Sequence, residues 1–127
     1  MPKKRKTILF IEDDPDQQKM YRFTLRKAGY RFVQASSGEA GLKAANVEKP
    51  DLILLDILMN GMSGIETLRQ LKKSPETKHI PVVIFTNYTK EEALQEVLAL
   101  GAAEVIIKTD VVPKDVVDKI EAKYLPH

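Results

Sequence analysis

At 127 residues, with 43% hydrophobic and 30% charged side chains, the chain has the size of one domain with a substantial core and the composition of an ordinary soluble globular protein. Its lack of cysteine excludes disulfides, thiolate metal sites and cysteine nucleophiles, and it suits a cytoplasmic location. The formal net charge of +2 includes Lys3, Lys4, Arg5 and Lys6; without them 16 basic residues face 18 acidic ones, a net −2 for the body.

Residues 1–6, with the run PKKRK, form a basic tail that is similar to a nuclear-import or nucleic-acid patch but is more simply a solvated end. The body has no Trp and no basic stripe interleaved with aromatics, so no nucleic-acid partner is expected. No apolar core follows the basic residues, as a secretory signal would require. Apolar runs of four or five residues are all broken by charge, so no membrane span is expected either. The folded domain is read over residues 7–125.

Thr7 to Ile11 (TILFI) predicts a first strand buried on both faces, followed at once by Glu12, Asp13, Asp14 and Pro15. Asp14 is placed to cap a helix over about Pro15 to Ala28, with Pro15 at its first position and Gln17 three residues past the cap. Met20, Tyr21, Thr24, Leu25 and Ala28 share one face of that helix, and Gly29 ends it. Arg31 to Ala35 mixes polar and apolar residues, as an edge strand does. Ser37 opens a short helix carrying Leu42, Ala44 and Ala45, ended before Pro50.

The stretch from Pro50 to Gly64, PDLILLDILMNGMSG, runs four apolar residues directly into Asp56. That pattern predicts a central parallel strand with a carboxylate at its carboxyl end, the rim where open α/β sheets place ligands. Ser63 and Glu66 then form a capping box for a helix with Ile65, Leu68 and Leu71 inward. Pro81 to Phe85 is the next buried strand, ending in Thr86, Asn87 and Tyr88. Thr89 and Glu92 form a further capping box, for a helix that buries Ala93, Val97 and Leu100 and stops at Gly101. Glu104 to Ile107 is the last strand, ending in Lys108, and Pro113 begins a terminal helix with Val116, Val117, Ile120 and Tyr124 on one side. Five βα units in strict alternation predict a doubly wound α/β sheet with helices on both faces.

The strand ends supply Asp13 and Asp14, Asp56, Thr86 and Lys108. In the order 2-1-3-4-5 the first and third strands neighbour each other at the switch point, and three carboxylates converge there. Like charges so close require a proton or a cation among them. All-oxygen ligation with an open side describes Mg²⁺. Lys108 supplies a point charge for phosphate and Thr86 a hydroxyl donor. A carboxylate in that setting can act as nucleophile and form an aspartyl phosphate. Taken singly each residue has a plainer explanation: Asp14 as a cap, Asp13 as a solvated acid, Thr86 in a turn, Lys108 on the surface. Tyr88 is either a packed aromatic or part of a binding surface, and His79 lies at the wrong end of its strand to be a base.

Together these motifs resemble the receiver domain of a two-component response regulator. The resemblance covers about Lys6 to Tyr124 and is carried by IEDDP at 11–15, LLD ending at Asp56, MSG at 62–64, Thr86, GA at 101–102 and Lys108. It implies a flavodoxin-like (βα)5 three-layer sandwich with a parallel five-stranded sheet in the order 2-1-3-4-5. It implies that Asp56 is the phosphoacceptor, that Asp13, Asp14 and the Leu58 carbonyl arrange Mg²⁺ with it, and that Thr86 and Lys108 contact the phosphoryl oxygens. The implied donor is a sensor histidine kinase or histidine phosphotransfer protein. The implied target site is the face of the fourth helix, fifth strand and fifth helix, and a homodimer is a further partner the resemblance allows.

Four positions depart from that pattern. Asn60 and Thr109 stand where the family usually has Pro, Val105 where it carries an aromatic switch residue, and Asn87 where it has Ala. Without Pro at 109 a trans Lys108–Thr109 bond is expected, since the cis form costs about 3 kcal/mol. Two other functions compete with the phosphoacceptor switch: a receiver-like binding module that is never phosphorylated, and a Mg²⁺-dependent phosphohydrolase with an aspartyl nucleophile. The latter resembles a D-x-D pattern, but Leu58 stands two past Asp56. A flavin-binding module fits less well still, because Glu12-Asp13-Asp14 would repel its phosphate.

Overall fold

The structure, a computed structural model, describes residues 5–126. Lys3 and Lys4 of the basic tail lie outside them, and Arg5 and Lys6 are exposed. Five strands, β1 (Thr7–Ile11), β2 (Arg31–Ala35), β3 (Leu52–Leu55), β4 (Val82–Thr86) and β5 (Glu104–Ile107), form one parallel sheet in the order β2-β1-β3-β4-β5. They alternate with α1 (Pro15–Lys27), α2 (Gly38–Glu48), α3 (Gly64–Lys73), α4 (Glu91–Ala99) and α5 (Pro113–Lys123). This is the expected doubly wound architecture, with β2 at the edge and only partly buried.

Side chains alternate across a strand, and here the alternation builds two cores. Ile8, Phe10, Leu52, Leu54, Val83, Phe85 and Ile106 face α1 and α5, where Tyr21, Leu25, Val116 and Ile120 meet them. Leu9, Ile11, Ile53, Leu55, Val82 and Ile84 face the other way, against Ala45, Leu68 and Val97 of α2, α3 and α4. Phe10, Tyr21 and Phe85 are in mutual ring contact, with centroids 5.1–6.2 Å apart, a geometry that adds to the burial of the rings themselves.

Helix starts differ in detail from expectation. Asp14 caps α1 by accepting from the Asp16 amide at 3.0 Å, with no role for Gln17. Ser63 Oγ accepts from the Glu66 amide at 3.2 Å, but the Glu66 carboxylate turns to Arg69 at 2.9 Å, so only half of that box forms. Thr89 does not cap α4: the helix begins at Glu91 behind Lys90 without a side-chain cap. The two glutamates of its first turn complement the helix dipole instead. β4 starts at Val82 rather than Pro81, because proline has no N–H to give to the ladder. On α1, Met20 is 39% exposed and the inward position is taken by Gln18.

Candidate functional site

The same alternation that builds the α1/α5 core carries on past the strand ends. Glu12 lies two beyond Phe10, Asp56 two beyond Leu54, and Lys108 two beyond Ile106. Continuing the parallel register, the Asp56 amide donates to the Ile11 carbonyl at 3.2 Å, which sets Asp56 alongside Glu12. Two carboxylates thus stand over one core on adjacent strands, where mutual repulsion calls for a cation. Lys108 provides it: Nζ donates to Asp56 Oδ2 at 3.0 Å and to Glu12 Oε1, and lies 5.7 Å from the centre of the Phe85 ring.

Burial sets the electrostatics of this trio. Glu12 is only 1% exposed, and desolvation pushes its carboxyl above the usual glutamate value despite the pull of Lys108. For Lys108, burial works to lower the ammonium's pKa, but the bond to Glu12 and the charge of Asp56 outweigh it and hold the pKa above the ordinary lysine value.

The remaining predicted residues fall into two groups. Asp13 Oδ2 accepts from the Asn60 amide at 3.0 Å, tying the end of β1 to the β3–α3 loop. Asp56 Oδ1 accepts from the Leu58 amide at 3.3 Å, which fixes the carboxylate from below while Lys108 holds the other oxygen. Thr86 is fully buried, and its Oγ1 accepts from the Tyr88 amide at 3.1 Å. Accepting leaves the hydroxyl proton free to donate. Asp14 does not join the acids: it is exposed and committed to the α1 cap. Its place is taken by Glu12, whose Oε2 accepts from the Asp14 amide at 3.2 Å. The clue was in the sequence: Glu12 directly follows the ladder and continues the strand's alternation, whereas Asp14 comes where the chain has already left the strand to cap α1.

Other expectations resolve as well. No peptide bond among the described residues is cis, so Lys108–Thr109 is trans as expected. Tyr88 is half-buried against the α2/α3/α4 core, as is Val105. His79 is exposed in the loop before β4. Asn87, exposed beside Thr86, accepts the Thr109 amide on Oδ1 at 3.0 Å.

Hard carboxylate oxygens from Glu12, Asp13 and Asp56 have the chemistry Mg²⁺ prefers. Among the described residues no three acid or histidine side chains converge as a ready metal cage, in keeping with two of these acids turning to Lys108. The donor set fits a cation that keeps much of its water, not one enclosed by protein.

A sequence model of the response regulator receiver domain matches residues 8–121. Over 86 residues the chain is 42% identical to the protein PilH of Pseudomonas aeruginosa, covering 66% of this chain and 69% of PilH. It is 36% identical over 115 residues to the phosphate regulon transcriptional regulatory protein PhoB of Escherichia coli. That match covers 91% of this chain and 50% of PhoB, so the chain spans about half the length of that relative. Among solved structures, a CheY-like response regulator receiver domain protein from Methanospirillum hungatei superposes with a TM-score of 0.89 at 29% identity, covering 95% of this chain and 94% of that one.

Proposed function

The chain belongs to the response regulator receiver domains of two-component signalling, and on that footing we propose that Asp56 is its phosphoacceptor. The observation that carries this reading is the Lys108 ammonium seated on Asp56 Oδ2 beside the buried Glu12. A carboxylate oxygen of Asp56 forms the new O–P bond while the P–N bond to a donor phosphohistidine breaks, and the bonding pair and a proton end on the imidazole. The donor is a sensor histidine kinase or a histidine phosphotransfer protein.

Mg²⁺, held by Asp13 and Asp56 with Glu12 and the Leu58 carbonyl about it, would neutralise charge on the phosphoryl oxygens. Lys108 is already within bonding distance of the acceptor carboxylate and moves to a phosphoryl oxygen once that carboxylate has become an acyl phosphate. Thr86 retains a proton to donate to a second one. Drawing Thr86 inward breaks its bond from the Tyr88 amide, and this is how the loop before α4 senses the phosphoryl group. The α4–β5–α5 face then binds a downstream protein or a second copy, and the molecule acts as a cytoplasmic switch rather than a turnover enzyme. A phosphohydrolase acid two residues past Asp56 is lacking: that residue is Leu58, 56% exposed.

Acetyl phosphate with Mg²⁺, read by intact mass, tests the assignment. One added phosphoryl group on the wild type and none on Asp56→Asn is the expected result. An unmodified wild type, with acetyl phosphate and with phosphohistidine donors alike, would leave a module that only binds partners. Steady release of phosphate from simple esters would make it a hydrolase.

A further inference from the structure

We infer that Gln18 is a positioning residue for Asp13 at the end of β1, setting the affinity of the site for Mg²⁺. The inference rests on the function proposed above and names a residue that contacts neither phosphate nor metal. Gln18 is a polar side chain on the inward stripe of α1, only 6% exposed, where periodicity calls for an apolar residue. Its Nε2 donates to the Glu12 carbonyl and to Ser36 Oγ at 3.1 Å, and approaches the Ala35 carbonyl at 3.5 Å. One carboxamide therefore joins α1, the end of β1 and the turn after β2.

The consequence lies in what else holds Glu12. Its amide donates to the Ala35 carbonyl at 2.9 Å, and its two carboxylate oxygens accept from Asp14 N and Lys108 Nζ. The Glu12 carbonyl belongs to the next peptide unit, Glu12–Asp13, and Gln18 is what holds that oxygen. Rotation of this one peptide plane would swing Asp13 away from the Asn60 amide that its carboxylate accepts. Lys108 and the ladder would still hold Glu12, so the loss would fall on Asp13. Residues that orient metal-binding carboxylates in this way typically matter by 10–100-fold in affinity, on the order of the effect of a ligand's own neighbours.

The test compares Gln18→Met, which keeps the length of the side chain without its donors, with Thr77→Val. Thr77 is an equally buried residue whose Oγ1 donates to the Leu71 carbonyl at 2.7 Å in the loop before β4, at the opposite end of the sheet. Mg²⁺ is titrated into each ¹⁵N-labelled protein without phosphodonor, following the amides of Asp13 and Asn60, and thermal unfolding is recorded alongside. The expected result is Mg²⁺ binding weakened about ten-fold or more in Gln18→Met and unchanged in Thr77→Val, with both variants unfolding at lower temperature. Equal Mg²⁺ affinity in Gln18→Met and wild type would overturn the positioning role and leave the phosphoacceptor reading standing. A wild type whose amides ignore Mg²⁺ would overturn both.

Discussion

Lys108 reaches Asp56 across an intervening strand. β4 lies between β3 and β5, so the ammonium covers about 10 Å of sheet to stand 3.0 Å from Asp56 Oδ2. The long stem of a lysine crosses above Phe85, whose ring face supports the charge on the way. An acid pair on neighbouring strands and a cation two strands off thus form one unit, and most expectations for this molecule follow from disturbing it.

Replacing Lys108 with Met leaves Glu12 and Asp56 as adjacent buried carboxylates with no counter-charge. Stability should drop by about 3–5 kcal/mol, measured by urea unfolding at neutral pH. Added Mg²⁺ should recover more of it in the variant than in the wild type. The alkaline limb should change too. The native state holds the Lys108 proton more tightly than the unfolded chain, whose value is near 10.5. The stabilisation is therefore complete below that pH and fades as pH climbs through the higher native value. Lys108→Met should lack that decline.

Asp56→Asn removes a negative charge that raises the Glu12 pKa. Its Glu12 carboxyl should consequently titrate at lower pH than in the wild type, by side-chain ¹³C NMR. An unmoved Glu12 curve would mean that the two acids do not sense each other.

Two of the three acids of the IEDDP run, Glu12 and Asp14, should separate cleanly. Asp14→Ala loses a helix cap, costing about 1 kcal/mol, with Mg²⁺-dependent phosphorylation at the wild-type rate. Glu12→Gln should phosphorylate more slowly and need more Mg²⁺. The reverse pattern would put Asp14 in the site and Glu12 outside it.

Gly64→Ala and Gly101→Ala should differ sharply. An added Cβ at Gly64 would sit 1.9 Å from the Asp56 carbonyl oxygen, and neither backbone segment can give way without moving the site. A loss of roughly 4 kcal/mol or more is expected, together with slower phosphorylation. Gly101 has φ of +106° but meets only the flexible Lys72 side chain at 3.6 Å. Its substitution should cost about 1–2 kcal/mol of backbone strain and leave the phosphorylation rate alone.

Burial pushes the Tyr21 phenol up to about 12, with the Asp115 charge adding to the effect. Between the ordinary value of 10 and that figure the unfolded chain binds fewer protons, so stability declines as pH rises across the interval. Tyr21→Phe should flatten the decline by on the order of 2–3 kcal/mol, since each unit is worth about 1.4 kcal/mol. Absorbance near 295 nm should show one late-ionising tyrosine fewer.

The fold was legible because each level of the sequence agreed: ILFI, LILL and VVIF are unbroken apolar runs, and each leads into a capped or proline-initiated helix or a turn. Asp56 and Lys108 were legible for the same reason, as polar residues that end such runs. Glu12 was passed over because two aspartates follow it and composition does not say which acid faces inward; what decides is that the strand's alternation still holds at Glu12 and has ended by Asp14, the cap of α1. Gln18 was hidden by periodicity, which predicts an apolar residue at its position and offers Met20 nearby. Thr89 failed as a cap because the motif S/T-x-x-E fixes spacing, not the residue at which the chain turns helical.

Asn87 and Thr109 look in the sequence like two unrelated substitutions, yet Asn87 Oδ1 takes the Thr109 N–H at 3.0 Å. A proline at 109 has no hydrogen to offer, and an alanine at 87 has nothing to receive one. The two positions are therefore joined by a single bond that ties the turn after β4 to the turn after β5, and it needs both an acceptor at 87 and a backbone N–H at 109.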